Sequence, residues 1–291
     1  ENYSRRFSIR FPNEQLPAAR PLKTTPIYDR LKQAGAQFSD AWGLESALWY
    51  APDGEKDIFS WYRSNDFDHV AAEVKAVRNS VGLIEISSFA NYTVSGEGAQ
   101  SWLDTILACR IPSQGRMTLA PMLKDDGRVI GDFTLANLGQ NRFFISGSGP
   151  AEDYHMRWFE RHLPEDGSVT LVAHGAAMTG VSIAGPNARK VLEAVAGKAV
   201  GPDDFKFMAI AEMNIAMAPA LVGRVSFTGD LGYEIWCKPE HLNYIFDELM
   251  LAGKDYDIRL FGTRALNALR LEKSYGSWAT EYRPIYDMAQ T

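Results

Sequence analysis

The order of predicted elements repeats along this chain at an offset of about ninety residues. Residues 92–103 predict a strand, a glycine break and a helix, and residues 181–192 predict the same succession. Residues 133–150 then predict a strand, a turn, a second strand and a helix led by proline, and residues 225–239 repeat that order. Because order and spacing agree, the sequence predicts an α+β fold built from two copies of one antiparallel-sheet unit.

Apolar side chains at helical spacing predict the helices of this unit. Helices are expected over residues 27–34, 69–81 and 98–108, after Gly149-Pro150 and after Pro239. The last of these presents one apolar face, formed by Leu242, Ile245, Phe246 and Leu249. A strand after Arg116, one over residues 129–136 and one over residues 142–146 are expected to form an antiparallel set.

Residues 1–65 have a different character. Prolines punctuate an extended stretch there, since proline removes an amide donor and disfavours helix before it. Residues 38–52 are rich in aromatic side chains and show little periodicity, so this segment is expected to pack along a neighbouring domain. The chain is therefore divided into an N-terminal segment (1–65), a first copy of the unit (66–170) and a second copy (171–291).

Composition excludes several classes of function. Hydrophobic residues make up 46% of the 291 residues, enough for a sizeable core. A formal net charge of −6 argues against a nucleic-acid surface. No apolar run is long enough for a membrane span, and the first residues lack the apolar stretch of a signal peptide. No glycine-rich dinucleotide motif, phosphate-binding loop or nucleophile elbow is present.

Cysteine and histidine usage points to a reduced, metal-free protein. Cys109 and Cys237 are far apart in sequence and flanked by apolar residues, which predicts two buried free thiols in a reducing compartment. The five histidines are scattered. His155 and His162 are spaced to share a helix face, but without a third ligand nearby both are interpreted as ordinary surface residues. No metal site is expected.

One carboxylate stands in the middle of a predicted strand. In residues 129–136, Ile130, Asp132, Thr134 and Ala136 should share one face, and the residues between them the other. Asp is depleted in strands and costly to bury without a partner. Two interpretations are open: a solvated strand face, which alternation alone favours, or a carboxylate held at the wall of a pocket.

A second carboxylate, Glu234, follows the glycine-flanked turn 229–232 in a strand of aromatic and branched residues. Glu234 either faces solvent on the polar side of the strand, which this feature alone favours, or it accepts hydrogen bonds from the two N–H donors of an amidine-like edge such as that of a pterin.

The predicted helix 262–273 ends in Arg270, Glu272 and Lys273. Those charges suggest a buried or half-buried charge cluster, for which a helix-face ion-pair network is favoured over a direct catalytic role.

In order and spacing, several segments together resemble the glycine-cleavage T-protein (aminomethyltransferase) superfamily. The likeness is greatest to the C-terminal part of its dimethylglycine and sarcosine dehydrogenase branch. The resemblance spans nearly the whole chain, and its first residues look like the tail of an oxidoreductase domain. The segments that carry it are Pro26–Leu31, Gly35–Phe38, Ser88–Ala90, Gly131–Thr134, Ser226–Glu234 and Leu269–Lys273.

The resemblance implies a T-protein-like domain that binds tetrahydrofolate. The family's key carboxylate falls on Asp132, its pterin-binding glutamate on Glu234, and a tyrosine that packs on the folate falls on Phe227. Thr134, Ile235 and Trp236 are expected to add contacts to the ligand. The chain departs from the T-protein pattern at Leu119 and Leu266, where the family has a tyrosine and an arginine, and these departures favour the dehydrogenase branch.

The same resemblance implies that oxidation and one-carbon capture take place in different parts of the protein. A flavin domain or subunit outside this chain, holding FAD, would oxidise an N-methyl amine, and folate here would capture the iminium or formaldehyde equivalent as 5,10-methylenetetrahydrofolate. The family's C-terminal barrel is not expected in this chain. No nucleic-acid or membrane partner is expected, and the location is cytoplasmic, or the mitochondrial matrix in a eukaryote. Two alternatives are a stand-alone tetrahydrofolate-dependent aminomethyl- or methyltransferase and a non-catalytic folate-binding scaffold.

Overall fold

The protein is described by a computed structural model, which covers residues 14–278 and 280–282 together with residues 3, 6–9 and 11. Seven α-helices and thirteen strands lie in this described part. The helices are α1 (Tyr28–Gln33), α2 (Phe67–Asn79), α3 (Ala99–Ile106), α4 (Glu152–Arg161), α5 (Ala188–Ala196), α6 (Pro239–Ala252) and α7 (Thr263–Glu272). Every helix predicted from apolar spacing is present, with ends displaced by one to three residues.

The strands form one hairpin and two larger sheets. The hairpin is β1 (Ala36–Ala41) and β2 (Leu44–Tyr50). The first sheet consists of β4 (Ala90–Ser95), β5 (Arg116–Leu123), β6 (Val129–Gly139), β7 (Arg142–Gly147) and β8 (Thr170–Ala173). The second sheet consists of β3 (Gly82–Glu85), β9 (Thr179–Ala184), β10 (Ile210–Ile215), β11 (Ala218–Gly223), β12 (Gly232–Cys237) and β13 (Arg259–Leu260).

Strand order confirms the duplication. The first sheet runs β5-β6-β7-β4-β8, and the second runs β10-β11-β12-β9-β3-β13. In each copy a strand leads into a helix, a three-stranded antiparallel meander and a second helix. All described pairs in the two sheets are antiparallel except β3 with β13. Strand β3 pairs with β9 although it precedes the whole first copy in sequence, so one strand of the second sheet comes from the first half of the chain.

Three apolar clusters show how the layers stack. One joins the second sheet to α5 and α6, and its members include the predicted stripe Leu242, Ile245, Phe246 and Leu249. Another joins the first sheet to α3 and α4. The third contains residues of both sheets, among them Phe144 of β7 and Trp236 of β12. The two sheets therefore pack face to face, with helices on each outer side.

Three local predictions need correction. The strand predicted to begin at Val225 is absent: β11 ends at Gly223 and an eight-residue loop, residues 224–231, leads to β12. His155 is fully buried rather than a surface residue, because it faces the core between α4 and the first sheet. Cys109 is only partly buried, while Cys237 is buried; both thiols are free.

The faces of β6 also differ from the prediction at one position. Leu123 pairs with Val129, but Met122 pairs with Gly131, so Ile130 is an extra residue that forms a β-bulge. The bulge turns Ile130 into the cluster beneath α3 and α4, together with Phe133. Asp132 and Thr134 keep their shared face toward the second sheet, because normal alternation resumes at Gly131.

No helix in the described part of the chain is long and apolar enough to cross a membrane. Among the same residues, no cluster of three or more His, Cys, Asp or Glu side chains is arranged to hold a metal ion.

Candidate functional site

A cavity of about 880 Å³ opens between the two sheets. Its walls come from β5, β6, β12, the loop 224–231 and the segment 275–282. Asp132, Thr134, Phe227 and Glu234 all line it. The volume lies in the range that holds drug-sized ligands. Four side chains predicted from two distant stretches of sequence thus meet at one concave surface.

Asp132 reaches the cavity because the pleat of β6 alternates. Its neighbours Gly131 and Phe133 point to the opposite side, toward α4. No hydrogen bond joins the Asp132 carboxylate to another side chain or backbone group of the described residues. Burial without a compensating partner raises the pKa of Asp132 to about 6. The carboxylate is therefore held by its backbone alone.

Glu234 approaches the cavity from the second sheet. In the sheet it lies between Gly223 of β11 and Ser182 of β9. Burial is again the cause that raises its pKa, here to about 8, and no partner within the described residues offsets the cost. Carboxylates that are removed from water are normally paired, so two half-buried, unpaired carboxylates in one cavity indicate a binding or catalytic site.

Phe227 is presented by the loop that replaces the predicted strand. Gly229 has a φ of +74°, and a Cβ there would stand 2.4 Å from the Lys273 side chain. The Ser226 and Thr228 hydroxyls lie 2.6 Å apart and the loop folds on itself. Its outer end is tied to α7 by Asp230 and Lys273, whose charged atoms are 3.9 Å apart.

The ring of Phe227 stacks on that of Tyr275, with centroids 6.3 Å apart and planes inclined by 28°. Tyr275, Gly276 and Tyr282 all line the cavity, so the described part of the segment 275–282, residues 275–278 and 280–282, covers one of its sides. This aromatic pair offers a flat apolar face next to the two carboxylates. Such a surface suits a planar heteroaromatic ring.

Arg270 anchors the covering segment. Arg270 is only 5% exposed, and its guanidinium donates to the Tyr275 carbonyl at 2.9 Å and pairs with Glu281 at 3.0 Å. Glu272 pairs with Arg78 on α2, and Lys273 pairs with Asp230. The predicted ion-pair network along the helix face is therefore wrong: each charge at the end of α7 contacts a different part of the chain.

Two predicted contact residues lie elsewhere. Ile235 is fully buried in the cluster beneath α5 and α6, because it alternates with Glu234. Trp236 shares the face of Glu234 but packs between the sheets against Phe144, with ring centroids 5.0 Å apart. Neither lines the cavity, so the expectation that they contact a ligand there is not supported by their positions.

Sequence patterns missed several lining residues. Arg116 and Arg224 place positive charge at the cavity, and Arg224 also donates to the Phe205 carbonyl at 2.8 Å. Phe207 and Leu119 are each 65% exposed at its walls. Arg116 begins β5, and Phe207 and Arg224 stand in loops, where no periodicity marks them. Leu119 lies within β5 and had a signal only as a departure from the family pattern. Leu266, the other departure, packs against the inter-sheet core instead.

The fold and the cavity define a class: a duplicated, two-sheet α+β domain that presents unpaired carboxylates from both copies to a shared ligand cavity. The family model described as "GCVT N-terminal domain" matches residues 27–291. The chain belongs to this family of aminomethyltransferase-like domains, which confirms the resemblance to the T-protein superfamily.

Individual relatives agree with this assignment. The chain is 32% identical over 286 residues to mitochondrial dimethylglycine dehydrogenase of Mus musculus, covering 97% of this chain and 33% of that protein. It is 28% identical over 256 residues to an aminomethyltransferase of Halothermothrix orenii, covering 87% of this chain and 66% of that protein. The chain thus spans about a third of the length of its dehydrogenase relative.

A solved structure shares the fold. The glycine cleavage system aminomethyltransferase T of Bartonella henselae superposes with a TM-score of 0.75 at 22% sequence identity, covering 90% of this chain and 66% of that structure. At that identity the likeness establishes the architecture, including its two antiparallel sheets, and leaves the ligand to be argued from the cavity.

Proposed function

We propose that the cavity binds tetrahydrofolate, and that this chain is the folate-binding portion of a flavin-dependent N-methyl amine dehydrogenase of the dimethylglycine or sarcosine type. In that role it captures the one-carbon unit as 5,10-methylenetetrahydrofolate. The observation that carries the proposal is the meeting of two unpaired carboxylates, Asp132 and Glu234, with the Phe227–Tyr275 stack in one cavity.

The lining residues fit a reduced folate. A pterin presents two neighbouring N–H donors on one edge, and a carboxylate is the side chain that accepts both. Glu234 is half-buried, faces the cavity and has no other partner among the described residues. The stacked rings of Phe227 and Tyr275 supply the apolar face, and Thr134 supplies a hydroxyl beside Asp132.

Asp132 is suited to manage a proton. Tetrahydrofolate supplies the amine nitrogens that take up a one-carbon unit. With its pKa raised to about 6, Asp132 is mostly ionised at neutral pH yet more basic than an ordinary aspartate. It can accept the proton that an amine nitrogen of folate releases when that nitrogen attacks the one-carbon unit. By accepting a hydrogen bond from the same N–H group, it can also orient the nitrogen for the attack. General acid–base assistance of this kind contributes about 10²- to 10⁴-fold.

The rest of the proposed reaction lies outside this chain. The dehydrogenase relative is about three times as long as the matched region, which supports an oxidising flavin domain or subunit as the partner that delivers the iminium or formaldehyde equivalent. FAD would be held there rather than in this cavity. We place the protein in the cytoplasm, or in the mitochondrial matrix if it is eukaryotic, in keeping with the mitochondrial relative.

Calorimetric titration with tetrahydrofolate tests the binding step. Wild type should bind, and Glu234→Gln should bind about 10- to 100-fold more weakly, because a charge-assisted pair of hydrogen bonds is lost. Glu212→Gln is the matched control, since Glu212 is an exposed carboxylate on β10 that pairs with Arg142. Failure of the wild type to bind would rule out every folate-dependent role, the folate-binding scaffold included, and would leave only a scaffold or partner-docking role without folate.

A stand-alone aminomethyltransferase is the second candidate. It is favoured by the Halothermothrix orenii relative, two thirds of whose length the chain covers. A visible absorbance spectrum of the native full-length protein separates the two. Flavin bands, bleached on addition of an N-methyl amine, support the dehydrogenase; a flavin-free protein that transfers an aminomethyl group to folate supports the transferase.

A further inference from the structure

We propose that His155 is a positioning residue: through the carbonyl of Ile130 and the ring of Phe133 it fixes the backbone that aims Asp132 into the cavity. The proposal deepens the proposed function, since the importance of Asp132 rests on it. The geometry of His155 stands independently. This residue lies on α4, on the far side of the first sheet from the cavity, and touches no lining carboxylate.

The first contact is a hydrogen bond to the bulge. Nε2 of His155 lies 3.2 Å from the carbonyl oxygen of Ile130, the extra residue in β6. A carbonyl can only accept, so Nε2 carries the proton and Nδ1 holds the lone pair. Nδ1 is buried and has no hydrogen-bond partner within the described residues. His155 is thus a neutral imidazole with one fixed tautomer, whose single strong polar contact is two residues before Asp132.

The second contact is ring packing on the residues that flank Asp132. The His155 and Phe133 rings meet edge to face with centroids 4.7 Å apart. A Cβ added at Gly131 would stand 2.9 Å from His155 Nε2 and 2.5 Å from the Phe133 ring. Both neighbours of Asp132 therefore face His155, and Asp132 between them faces the opposite side, toward the cavity.

A third contact links the same histidine to the cover of the cavity. Trp278, in the segment 275–282, meets the His155 ring with centroids 5.1 Å apart and planes inclined by 70°. Tyr154 packs on Trp278 as well, at 5.6 Å. One buried ring thereby joins the strand that carries Asp132 to the segment that contributes Tyr275 and Tyr282 to the cavity walls.

Backbone control matters here because Asp132 has no side-chain partner to hold it. Burial of His155 lowers its pKa to about 4, partly offset by the bond to Ile130, so it stays neutral across the working range and cannot exchange protons for the reaction. If the Ile130 bond is lost, the bulge can relax and Asp132 can turn toward water. Its pKa should then fall toward that of an ordinary aspartate.

The test is a carboxyl ¹³C NMR titration of Asp132 in the folate-free protein, comparing His155→Gln with His155→Asn. Gln has an N–H donor that reaches the position of Nε2, whereas the shorter Asn does not reach the Ile130 carbonyl. We expect the pKa of Asp132 to stay near its wild-type value in H155Q and to fall by at least one unit in H155N. Tyr92→Phe is the control, because Tyr92 also packs on Phe133 but does not contact β6 through a hydrogen bond.

An unchanged Asp132 pKa in folded H155N, or equal falls in H155N and Y92F, would overturn the proposal. If the variants do not fold, ¹⁵N NMR of the wild-type protein tests the proposal instead. It should show a neutral His155 with the proton on Nε2, and a proton on Nδ1 would contradict the proposal. Because no folate is present, this result is independent of folate binding. With folate bound, H155N should lower the one-carbon transfer rate about 10-fold at unchanged folate affinity, a split that general loss of stability does not produce.

Discussion

The two copies of the repeated unit share strand order but not the length of their turns. In the first copy β6 and β7 are joined by Gln140 and Asn141, both in the left-handed region, as a tight hairpin requires. In the second copy the corresponding strands, β11 and β12, are joined by the eight-residue loop 224–231. The scaffold is therefore symmetric, while the site is not.

This asymmetry builds the cavity. The long loop of the second copy brings Phe227 to the cavity. The tight hairpin of the first copy is too short to place a side chain at the equivalent position. The two carboxylates also come from non-equivalent strands: Asp132 from the second strand of the first meander and Glu234 from the third strand of the second. Under the proposed function, one copy of the duplicated fold supplies a proton-handling group and the other supplies a recognition group.

The largest expected effect belongs to the first copy. Asp132→Asn should lower the rate of methylenetetrahydrofolate formation from a formaldehyde equivalent, measured with folate saturating, by about 10²- to 10⁴-fold. Folate affinity should change little, because the recognition contacts lie on the second copy. Thr134→Val, which alters a neighbouring lining residue, should cost much less; an equal loss in both variants would remove the special role of Asp132.

The rate should also depend on pH through Asp132. Only the ionised carboxylate accepts a proton, and its pKa is raised to about 6, so the transfer rate should fall tenfold per unit as pH drops below about 6. Above that pH the rate should level off. The acid limb should vanish in Asp132→Asn; if it persists there, another group controls the rate.

An intermediate effect concerns stability in the second copy. Because the pKa of Glu234 is raised in the folded state, the native protein binds more protons than the unfolded chain, and stability falls as pH rises from about 4.5 to about 8. Glu234→Gln should remove this penalty. Urea unfolding should show a gain on the order of 1–3 kcal/mol at pH 8.5 and little gain at pH 5. Equal effects at both pH values would contradict the unpaired buried carboxylate.

The smallest effect is expected at the loop. Phe227→Leu should weaken folate binding about 3- to 10-fold, the value of one aromatic stacking contact, while Phe227→Tyr should bind as the wild type does. Fluorescence competition with a folate analogue measures both. If Phe227→Leu binds folate with wild-type affinity, the long loop of the second copy makes no contribution to folate binding through this ring.

Much of the scaffold could be predicted from sequence because it depends on local periodicity. The apolar stripe of α6 and the antiparallel set around β6 follow directly from side-chain spacing. The false strand at Val225 has the same origin: Val225 and Phe227 alternate with polar residues, but the Ser226 and Thr228 hydroxyls bond to each other and turn the chain instead. Alternation alone does not reveal this competition.

Of the proposed ligand contacts, Asp132, Thr134, Phe227 and Glu234 do line the cavity, and the family resemblance rather than their patterns pointed to them. Residues whose positions depend on long-range packing were not predictable. His155 has no sequence sign that it is buried beneath a bulge, since the bulge itself appears only in the pairing of β5 with β6. The covering segment 275–282 lacks periodicity, and its place follows from the tertiary contacts of Arg270.

Under the proposed function, Glu234 gives up its proton when folate binds in the cavity that it shares with Asp132. Calorimetry of tetrahydrofolate binding at pH 7, in buffers of different ionisation enthalpy, counts the protons released and tests this step. With a pKa near 8, Glu234 is mostly protonated before binding, so the wild type should release about 0.5–0.9 proton and Glu234→Gln about none. Binding without proton release, or the same release in both proteins, would contradict the account.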